Sequence, residues 1–369
     1  MRIVVTGANG FIGKNLVSEL RNRSYNDLFL FDHTQTFEEL ASALKSADFV
    51  FHLAGVNRPE HPEEFKTGNV DLTQWILEEL KSNHPCPILL SSSIQAELDN
   101  PYGQSKREAE KLVLDYSNHT EVKSYVYRLP NVFGKWSKPN YNTVVATYCY
   151  NITRDIPIQI NNPYANLTLV YVDDVVREWI RVLETKQALI ENSFCKVKPE
   201  YSISLQELAD KLMSFKESRR TAFIPLMGDA LTKKLYSTYL SFLPQDAFSY
   251  PLTEHKDSRG SFTEVLKTHD YGQVSINIAK PGITKGNHWH HTKNEKFLVV
   301  SGQALIRFRQ IDSSNILEYH VSDQKLEVVD IPCGYTHSIT NIGTSDLVTL
   351  MWANETLDPE NPDTYIMEV

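Results

Sequence analysis

The sequence predicts two folds in series: an α/β unit on a doubly wound parallel sheet, then an all-β antiparallel barrel. Three observations carry this. Short apolar strands alternate with helical stretches as far as Phe242-Leu-Pro-Gln-Asp246. Beyond that point the chain changes to short β-rich segments separated by Gly, Asn and Asp turns. A chain of 369 residues can also bury two or three separate cores. The expected division is an α/β domain over residues 1–246 and a barrel domain over residues 247–369.

Composition excludes several classes. The 41% apolar and 22% charged fractions are those of an ordinary globular protein. A net charge of −9 without a dense basic patch argues against nucleic acid as a partner. No apolar run approaches membrane-spanning length, so no membrane insertion is expected. Cys86, Cys149, Cys195 and Cys333 stand singly, which fits reduced thiols better than a disulfide framework. The chain opens on a strand rather than a signal peptide, and a cytoplasmic location is expected.

The first strand, Arg2–Thr6, runs straight into Gly7-Ala-Asn9-Gly10-Phe11-Ile12-Gly13, followed by helix-forming residues through Leu20. Strand, glycine turn and helix form the context a dinucleotide fingerprint requires. Gly7 permits the tight turn, Gly10 lets the backbone approach a pyrophosphate, and Gly13 allows helix and strand to pack closely. Asn9, Phe11 and Ile12 complete the expected cofactor-binding turn. The next strand, Leu28–Phe31, ends in Asp32, where an acid commonly binds the adenosine ribose and favours NAD. A plain loop-capping aspartate is the alternative. A third strand over 48–52 ends in Leu53-Ala54-Gly55, small enough to pass beneath a cofactor.

Residues 73–82 read as a helix, and Pro87–Ser93 as another buried strand ending in Ser91-Ser92-Ser93. After it, Tyr102 and Lys106 are four apart at the start of a helix and share a face. A nearby ammonium favours the phenolate, so the spacing predicts a lowered tyrosine pKa and a general acid or base. Ser93 could hold a substrate carbonyl. Downstream, helices are expected over 142–151 and over 204–213, the second capped by Ser204.

In the barrel region, His288-Trp-His290 places two imidazoles on one side of an extended strand. Glu295 on a neighbouring strand and His337 from a distant one would complete a three-histidine, one-carboxylate set suited to Zn²⁺, Fe²⁺, Mn²⁺ or Ni²⁺. From these ligands alone, an oxygen-using enzyme fits as well as any other.

Family likeness narrows both halves. The residues from Gly282 through His288, His290 and Glu295 to Gly302, and those from Pro332 through Gly334 and His337 to Asn341, resemble the two motifs of the cupin β-barrel at every signature position. The first 180 or so residues resemble the extended short-chain dehydrogenase/reductase family, specifically its nucleotide-sugar members, whose first domain is a Rossmann-type sheet. The matching residues are the glycine turn, His52-Leu-Ala-Gly55, Ser91–Ser93, Tyr102 with Lys106, Arg128-Leu-Pro-Asn131 and Tyr171-Val-Asp173-Asp174. The likeness implies that Ser93, Tyr102 and Lys106 are catalytic. It also implies that Tyr102 and Lys106 touch the cofactor.

Asp257-Ser-Arg259-Gly-Ser-Phe262-Thr-Glu264, with Lys285-Gly-Asn-His288, is similar to the sugar 3,5-epimerases, which are cupins too. By that likeness His288 would be the base, although this chain carries Lys285 where those enzymes carry arginine. His288 is therefore claimed both as base and as metal ligand. Lys285, Tyr335 and Tyr271 are candidates for the opposing acid.

A reductase of this family fused to such a cupin resembles the bifunctional nucleotide-sugar enzymes of capsular-polysaccharide synthesis. That resemblance implies C3 epimerisation of UDP-2-acetamido-2,6-dideoxy-β-L-arabino-hexos-4-ulose in the cupin. NADPH-dependent C4 reduction to the L-talose sugar would follow, towards UDP-N-acetyl-L-fucosamine. It further implies a bound Zn²⁺ and a homodimer joined through the cupin domains. His33 and Thr34 would lie near the 2′-phosphate of NADPH, and a merely structural, dimerising cupin is the alternative.

Overall fold

The computed structural model describes residues 1–369. The chain divides into two compact units, Met1–Met213 with Lys234–Pro244, and Ser214–Lys233 with Gln245–Val369.

The first unit is built outward from β1 (Ile3–Thr6), all four residues of which are buried. It pairs in parallel with β2 (Leu28–Phe31) on one side and β3 (Phe49–His52) on the other. The sheet continues through β4 (Ile88–Ser93) and β5 (Ser124–Leu129). A parallel strand covered on both faces needs no apolar–polar alternation, which is why Phe49-Val-Phe-His52 is one buried run. Helices α1 (Phe11–Asn22), α2 (Phe37–Leu44), α3 (Leu72–Ser82) and α4 (Pro101–Thr120) follow successive strands. Their apolar sides form two cores, one around Leu16, Leu20 and Phe51, the other around Leu40, Leu77, Leu90 and Val113.

Strand order β2-β1-β3-β4-β5 reverses direction between β1 and β3. A crevice opens at such a switch point, beyond the carboxyl ends of the strands. The glycine turn follows β1 there, and Leu53-Ala-Gly55 follows β3.

Several features were not expected from the sequence. A second sheet, order β10-β7-β6, joins β6 (Asn131–Phe133), β7 (Asn166–Tyr171) and β10 (Tyr201–Ser204). Three residues of β6 are too few to show a period. Between β6 and β7 lies α5 (Val144–Ile152), the helix expected over 142–151; α6 (Val172–Thr185) follows β7, and a short hairpin of β8 (Ile190–Glu191) and β9 (Phe194–Cys195) ends the main sheet. Lys66–Asp71 is a π-helical turn ahead of α3. It carries Asn69, whose side chain accepts the Val56 N–H at 2.8 Å and donates to the Val56 carbonyl at 2.9 Å. Helix α7 (Leu205–Thr221) starts at the expected Ser204 cap, where Ser204 Oγ accepts the Glu207 N–H and Glu207 accepts the Ser204 N–H. It runs eight residues past the expected end, and α8 (Ala230–Leu240) follows.

His52 sits at the end of β3 in a buried relay. Its Nδ1 lies 2.7 Å from Thr6 Oγ1 and its Nε2 2.8 Å from Thr73 Oγ1. Burial, helped by the nearby Lys106 charge, pushes its pKa down to about 3 from the ordinary 6.5. Between these values the unfolded chain binds a proton that the folded chain does not. Stability should therefore fall as pH drops from 6.5 towards 3, by about 1.4 kcal/mol per unit from this group. Urea unfolding at pH 6.5 and 5 should show a smaller difference for His52→Gln than for wild type.

The second unit is antiparallel. One sheet has the order β11 (Glu254–Asp257), β12 (Gly260–Lys267), β13 (Gln273–Ala279), β20 (Leu347–Ala353), β15 (Glu295–Ser301), β18 (Val328–Ile331). The other has the order β17 (Ile316–Ser322), β16 (Gln303–Gln310), β19 (Tyr335–Asn341), β14 (Thr284–Trp289), β21 (Tyr365–Ile366). Gln273–Ala279 alternates strictly between buried and half-buried, as a one-sided strand must. Phe297, Val299, Ile306, Phe308, Ile331 and Ile339 fill the space between the sheets.

Candidate functional site

At the first switch point, Gly7 has φ +68°, and a Cβ there would sit 2.7 Å from the Ala54 nitrogen. A Cβ on Gly13 would lie 2.2 Å from the Gly7 carbonyl oxygen. The turn thus packs backbone to backbone on the end of β3. Gly10 caps α1 without any side-chain hydrogen bond, so the first helical N–H groups stay available to an anion.

Asp32 has both oxygens engaged. Oδ2 accepts the Asn9 N–H at 2.9 Å, while Oδ1 accepts the His33 N–H at 2.8 Å and meets the His33 ring at 2.6 Å. Burial raises its pKa, but these hydrogen bonds outweigh that and hold it below the usual range. These contacts tie Asp32 into the turn, at the end of β2 beside the glycine turn.

Helix α4 is started by Asn100, whose side chain accepts the Gly103 N–H at 2.8 Å, with Pro101 in the first turn. The helix places Tyr102 and Lys106 over the ends of β3 and β4. Lys106 is buried and donates to the Ser91 carbonyl at 3.1 Å; its Nζ is 5.9 Å from the centre of the Tyr102 ring. Burial brings its pKa down to about 8, against the pull of Glu110. Tyr102 departs from expectation: its pKa is raised, not lowered. Burial is the main cause and Tyr141 adds to it, while the hydrogen bond with Ser93 draws the other way. The Lys106 ammonium is turned to Ser91 instead.

The three serines of β4 separate cleanly. Ser92 is buried on Glu110 at 2.5 Å, and Glu110 holds Arg128 at 2.7 Å. Arg128 also lies over Phe194, 3.6 Å from the ring centre, so it is a half-buried anchor beside the site. Ser93 is left facing Tyr102. Ser93, Tyr102 and Lys106 therefore meet in one place, and Gly55 is close by: a Cβ there would lie 3.3 Å from Lys106 Nζ.

In the second unit, His288, His290, Glu295 and His337 each present a ligand atom, all within 4.8 Å of one another. His288 and His337 are cross-strand partners on β14 and β19. A register shift after Gly286, with Asn287 at φ +58°, turns His288 inward. Glu295 does not lie on a neighbouring strand as expected: β15 belongs to the facing sheet, so the set is assembled across the barrel.

Glu295 Oε2 is 3.7 Å from His290 Nε2 and 3.4 Å from His337 Nε2. All three atoms are buried without a hydrogen-bond partner in the chain. Buried polar atoms are nearly always satisfied, and three orphans aimed at one point fit a cation. Burial raises the Glu295 carboxyl, but the two imidazoles prevail and hold it at about 2. Burial and the neighbouring His337 and His290 push His288 down to about 4.

The set lines a cavity of about 250 Å³ whose other walls include Phe262, Phe297, Ile339 and Met351. Lys285 lines it too, with its ammonium on the Asn277 side chain at 2.7 Å and the Ile278 and Ser261 carbonyls at 2.8 and 3.3 Å. Burial lowers its pKa. Tyr335 and Tyr271 are not on the cavity wall, and Tyr271 is 76% exposed. The sequence reading missed Lys293, Glu355 and Leu357, which line the same cavity. Lys293 is buried, with Nζ 3.9 Å from Glu355. Lysine two residues before Glu295 was the one available signal.

Comparison with known proteins agrees with the two-part fold. The NAD dependent epimerase/dehydratase family matches residues 3–194, and the polysaccharide biosynthesis C-terminal domain matches residues 255–365. A Pseudomonas aeruginosa protein, UDP-2-acetamido-2,6-beta-L-arabino-hexul-4-ose reductase, is 50% identical over 100% of this chain and 99% of its own. The crystal structure of the capsular polysaccharide assembling protein CapF from Staphylococcus aureus is 53% identical, covers 100% of both chains and superposes with a TM-score of 0.93. UDP-glucuronic acid 4-epimerase from Bacillus cereus shares the fold of the first unit at 20% identity, with a TM-score of 0.55 over 66% of this chain and 96% of its own. No helix is long and apolar enough to cross a membrane.

Proposed function

The chain belongs to the NAD dependent epimerase/dehydratase family, and on that premise we propose that it performs two consecutive steps on one nucleotide-sugar. The barrel unit epimerises C3 of UDP-2-acetamido-2,6-dideoxy-β-L-arabino-hexos-4-ulose. The first unit then reduces the C4 ketone with NADPH, giving UDP-2-acetamido-2,6-dideoxy-β-L-talose, a precursor of UDP-N-acetyl-L-fucosamine for a capsular polysaccharide. One observation carries the reading: a Ser93–Tyr102–Lys106 site and a His/Glu-lined cavity occur in one chain that matches, over its full length, a relative named as a reductase of that 4-keto sugar.

The chemistry joins the two sites. A proton beside a ketone is removable because the resulting charge spreads onto oxygen, and a dry cavity strengthens whatever stabilises that charge. His290, Glu295 and His337 are assigned to Zn²⁺, which when bound supplies a Lewis acid. Phe262, Phe297, Ile339 and Met351 give the sugar ring an apolar wall. His288 either completes the ligand shell or takes the C3 proton, with Lys285 steadying charge on the same wall. The metal content of His288→Asn separates the two roles: loss marks a ligand, and retention with lost exchange marks a base.

In the first unit, NADPH supplies the hydride, Tyr102 gives its proton to the developing alkoxide, and Ser93 orients the carbonyl. Lys106, held on the Ser91 carbonyl, would supply its positive charge to the site and to the bound cofactor rather than contact the phenol directly. The backbone from Gly7 to Gly13, with Asn9, Phe11 and Ile12, and the Leu53-Ala-Gly55 segment hold the dinucleotide. Asp32 is tied to His33, which leaves the His33–Thr34 segment to meet a 2′-phosphate. A homodimer through the barrel units in the cytoplasm completes the proposal. It is supported by exposed Leu317, Tyr319 and Val328 on β17 and β18 and by four unpaired cysteines.

The deciding experiment incubates the full chain with the 4-keto sugar in D₂O, without NADPH. Deuterium should enter at C3, and added NADPH should then trap the labelled product. Reduction without prior exchange would leave the barrel a structural module.

A further inference from the structure

We propose that Asp363 is a positioning residue for the metal centre, clamping the turn that carries His290 and fixing the tautomer of that imidazole. The inference rests on the metal reading given above and extends it to a residue of the C-terminal tail.

His290 needs such support. Strand β14 ends at Trp289, so this ligand lies just past the ladder that holds His288. Only four residues then separate it from Glu295 on the facing sheet. Asp363 meets this turn from 70 residues further along the chain. Its Oδ1 accepts the His291 N–H at 2.9 Å. Its Oδ2 accepts the N–H groups of Thr292 and Lys293 at 2.7 and 2.8 Å, and the Thr292 hydroxyl at 3.1 Å. Three consecutive N–H groups converging on one carboxylate form an anion-binding nest. The Asp363 carbonyl, meanwhile, faces His290 Nδ1. A carbonyl only accepts, so Nδ1 carries the proton and Nε2 keeps its lone pair. That Nε2 is the buried, unpartnered atom beside Glu295.

Asp363 is itself held firmly. In β21, Tyr365 and Ile366 pair with Trp289 and His288, and the Met367 N–H reaches the Asn287 carbonyl at 3.0 Å. The Thr336 hydroxyl donates to the Met367 carbonyl, and Arg309 to that of Glu368 at 2.6 Å. Tyr365 also stacks on Trp289, with ring centres 4.9 Å apart. The packed apolar cluster between the sheets draws no residue from beyond Met351, and of the tail's apolar side chains only Leu357 lines the cavity, so the segment from Asp363 onward is not there to build the core. An ordinary turn cap would explain the carboxylate bonds alone. It would not explain why the same residue's carbonyl sets the tautomer of a ligand, which is what outer partners of metal-bound histidines do.

The test measures Co²⁺ affinity of the full chain by competition with a chromophoric chelator, together with the Co²⁺ absorption spectrum. Asp363→Asn replaces one acceptor oxygen by an NH₂ that opposes the N–H donors. It should weaken Co²⁺ binding about 10–100-fold and alter the spectrum, with NADPH affinity unchanged. Deleting residues 365–369, which leaves Asp363 but removes its anchor, should weaken binding in the same direction and guards against misfolding of the point variant. Affinity within about twofold of wild type in both variants would overturn the clamp while leaving the metal site standing. Parallel loss of NADPH affinity would overturn it as general damage. Wild-type protein without Co²⁺ affinity would overturn the metal reading, and the clamp with it.

Discussion

Tyr102→Phe is expected to lower NADPH-dependent reduction of the C4 ketone by about 10²–10⁴-fold, the usual contribution of a positioned proton donor. Deuterium exchange at C3 should be untouched. The substitution keeps the ring and its packing on Phe65, 5.7 Å away centre to centre, so the fold has no reason to change. What disappears is the hydroxyl beside Ser93. Because burial raises the pKa of Tyr102, the group is protonated at neutral pH and is ready to donate rather than to accept. Single-turnover reduction after pre-equilibration in D₂O reads both activities in one tube. Unchanged reduction would mean that the first unit only binds its nucleotide.

Glu295→Gln should do the reverse. The carboxylate is buried between His290 and His337, and it is the one anionic member of the four-residue set. Glutamine has nearly the same shape but no charge. Metal affinity should fall by more than about 100-fold, beyond the loss seen on removing an outer partner. Exchange at C3 should fall in parallel. Reduction of a ketone supplied already epimerised should continue at the wild-type rate. Metal analysis of the purified variant and exchange followed by NMR check the two halves of this expectation. Exchange that persists in metal-free protein would remove the cation from the first step.

Local chemistry was legible in the sequence wherever a short period or a turn demanded it. The glycine turn, the four-residue spacing of Tyr102 and Lys106, and the alternation of His288 and His290 each depend on neighbours a few residues away. Within each unit the structure follows that spacing: Tyr102 and Lys106 share helix α4, and His288 and His290 join one cluster. Features decided by distant partners were not legible. Nothing in Lys66–Asp71 announces a π-turn, because its long-range reward is the Asn69 contact with Val56. Asp32 could be read as a ribose ligand or a loop cap, and its contacts with His33 and Asn9 were not legible in the sequence. The Lys106 ammonium was expected at the phenol, but the β4 carbonyl of Ser91 captures it. Glu295 was given to an adjacent strand since sequence distance does not say which sheet a strand joins. Asp363 carries no motif at all.

The split of the metal ligands between facing sheets has a consequence for how the protein responds to its surroundings. His288 and His337 belong to the five-stranded sheet, and Glu295 to the six-stranded one. An ion gripped by His337 and Glu295 would rivet together two walls that otherwise meet through apolar side chains and a few hydrogen bonds, such as Lys285 on Asn277. No residue of the Ser93–Tyr102–Lys106 site is part of that joint. Scarcity of the ion would then slacken the cavity mouth and silence the first reaction, while the second kept its full capacity. Metal supply would thus decide which epimer reaches the reductant, not merely how fast product forms.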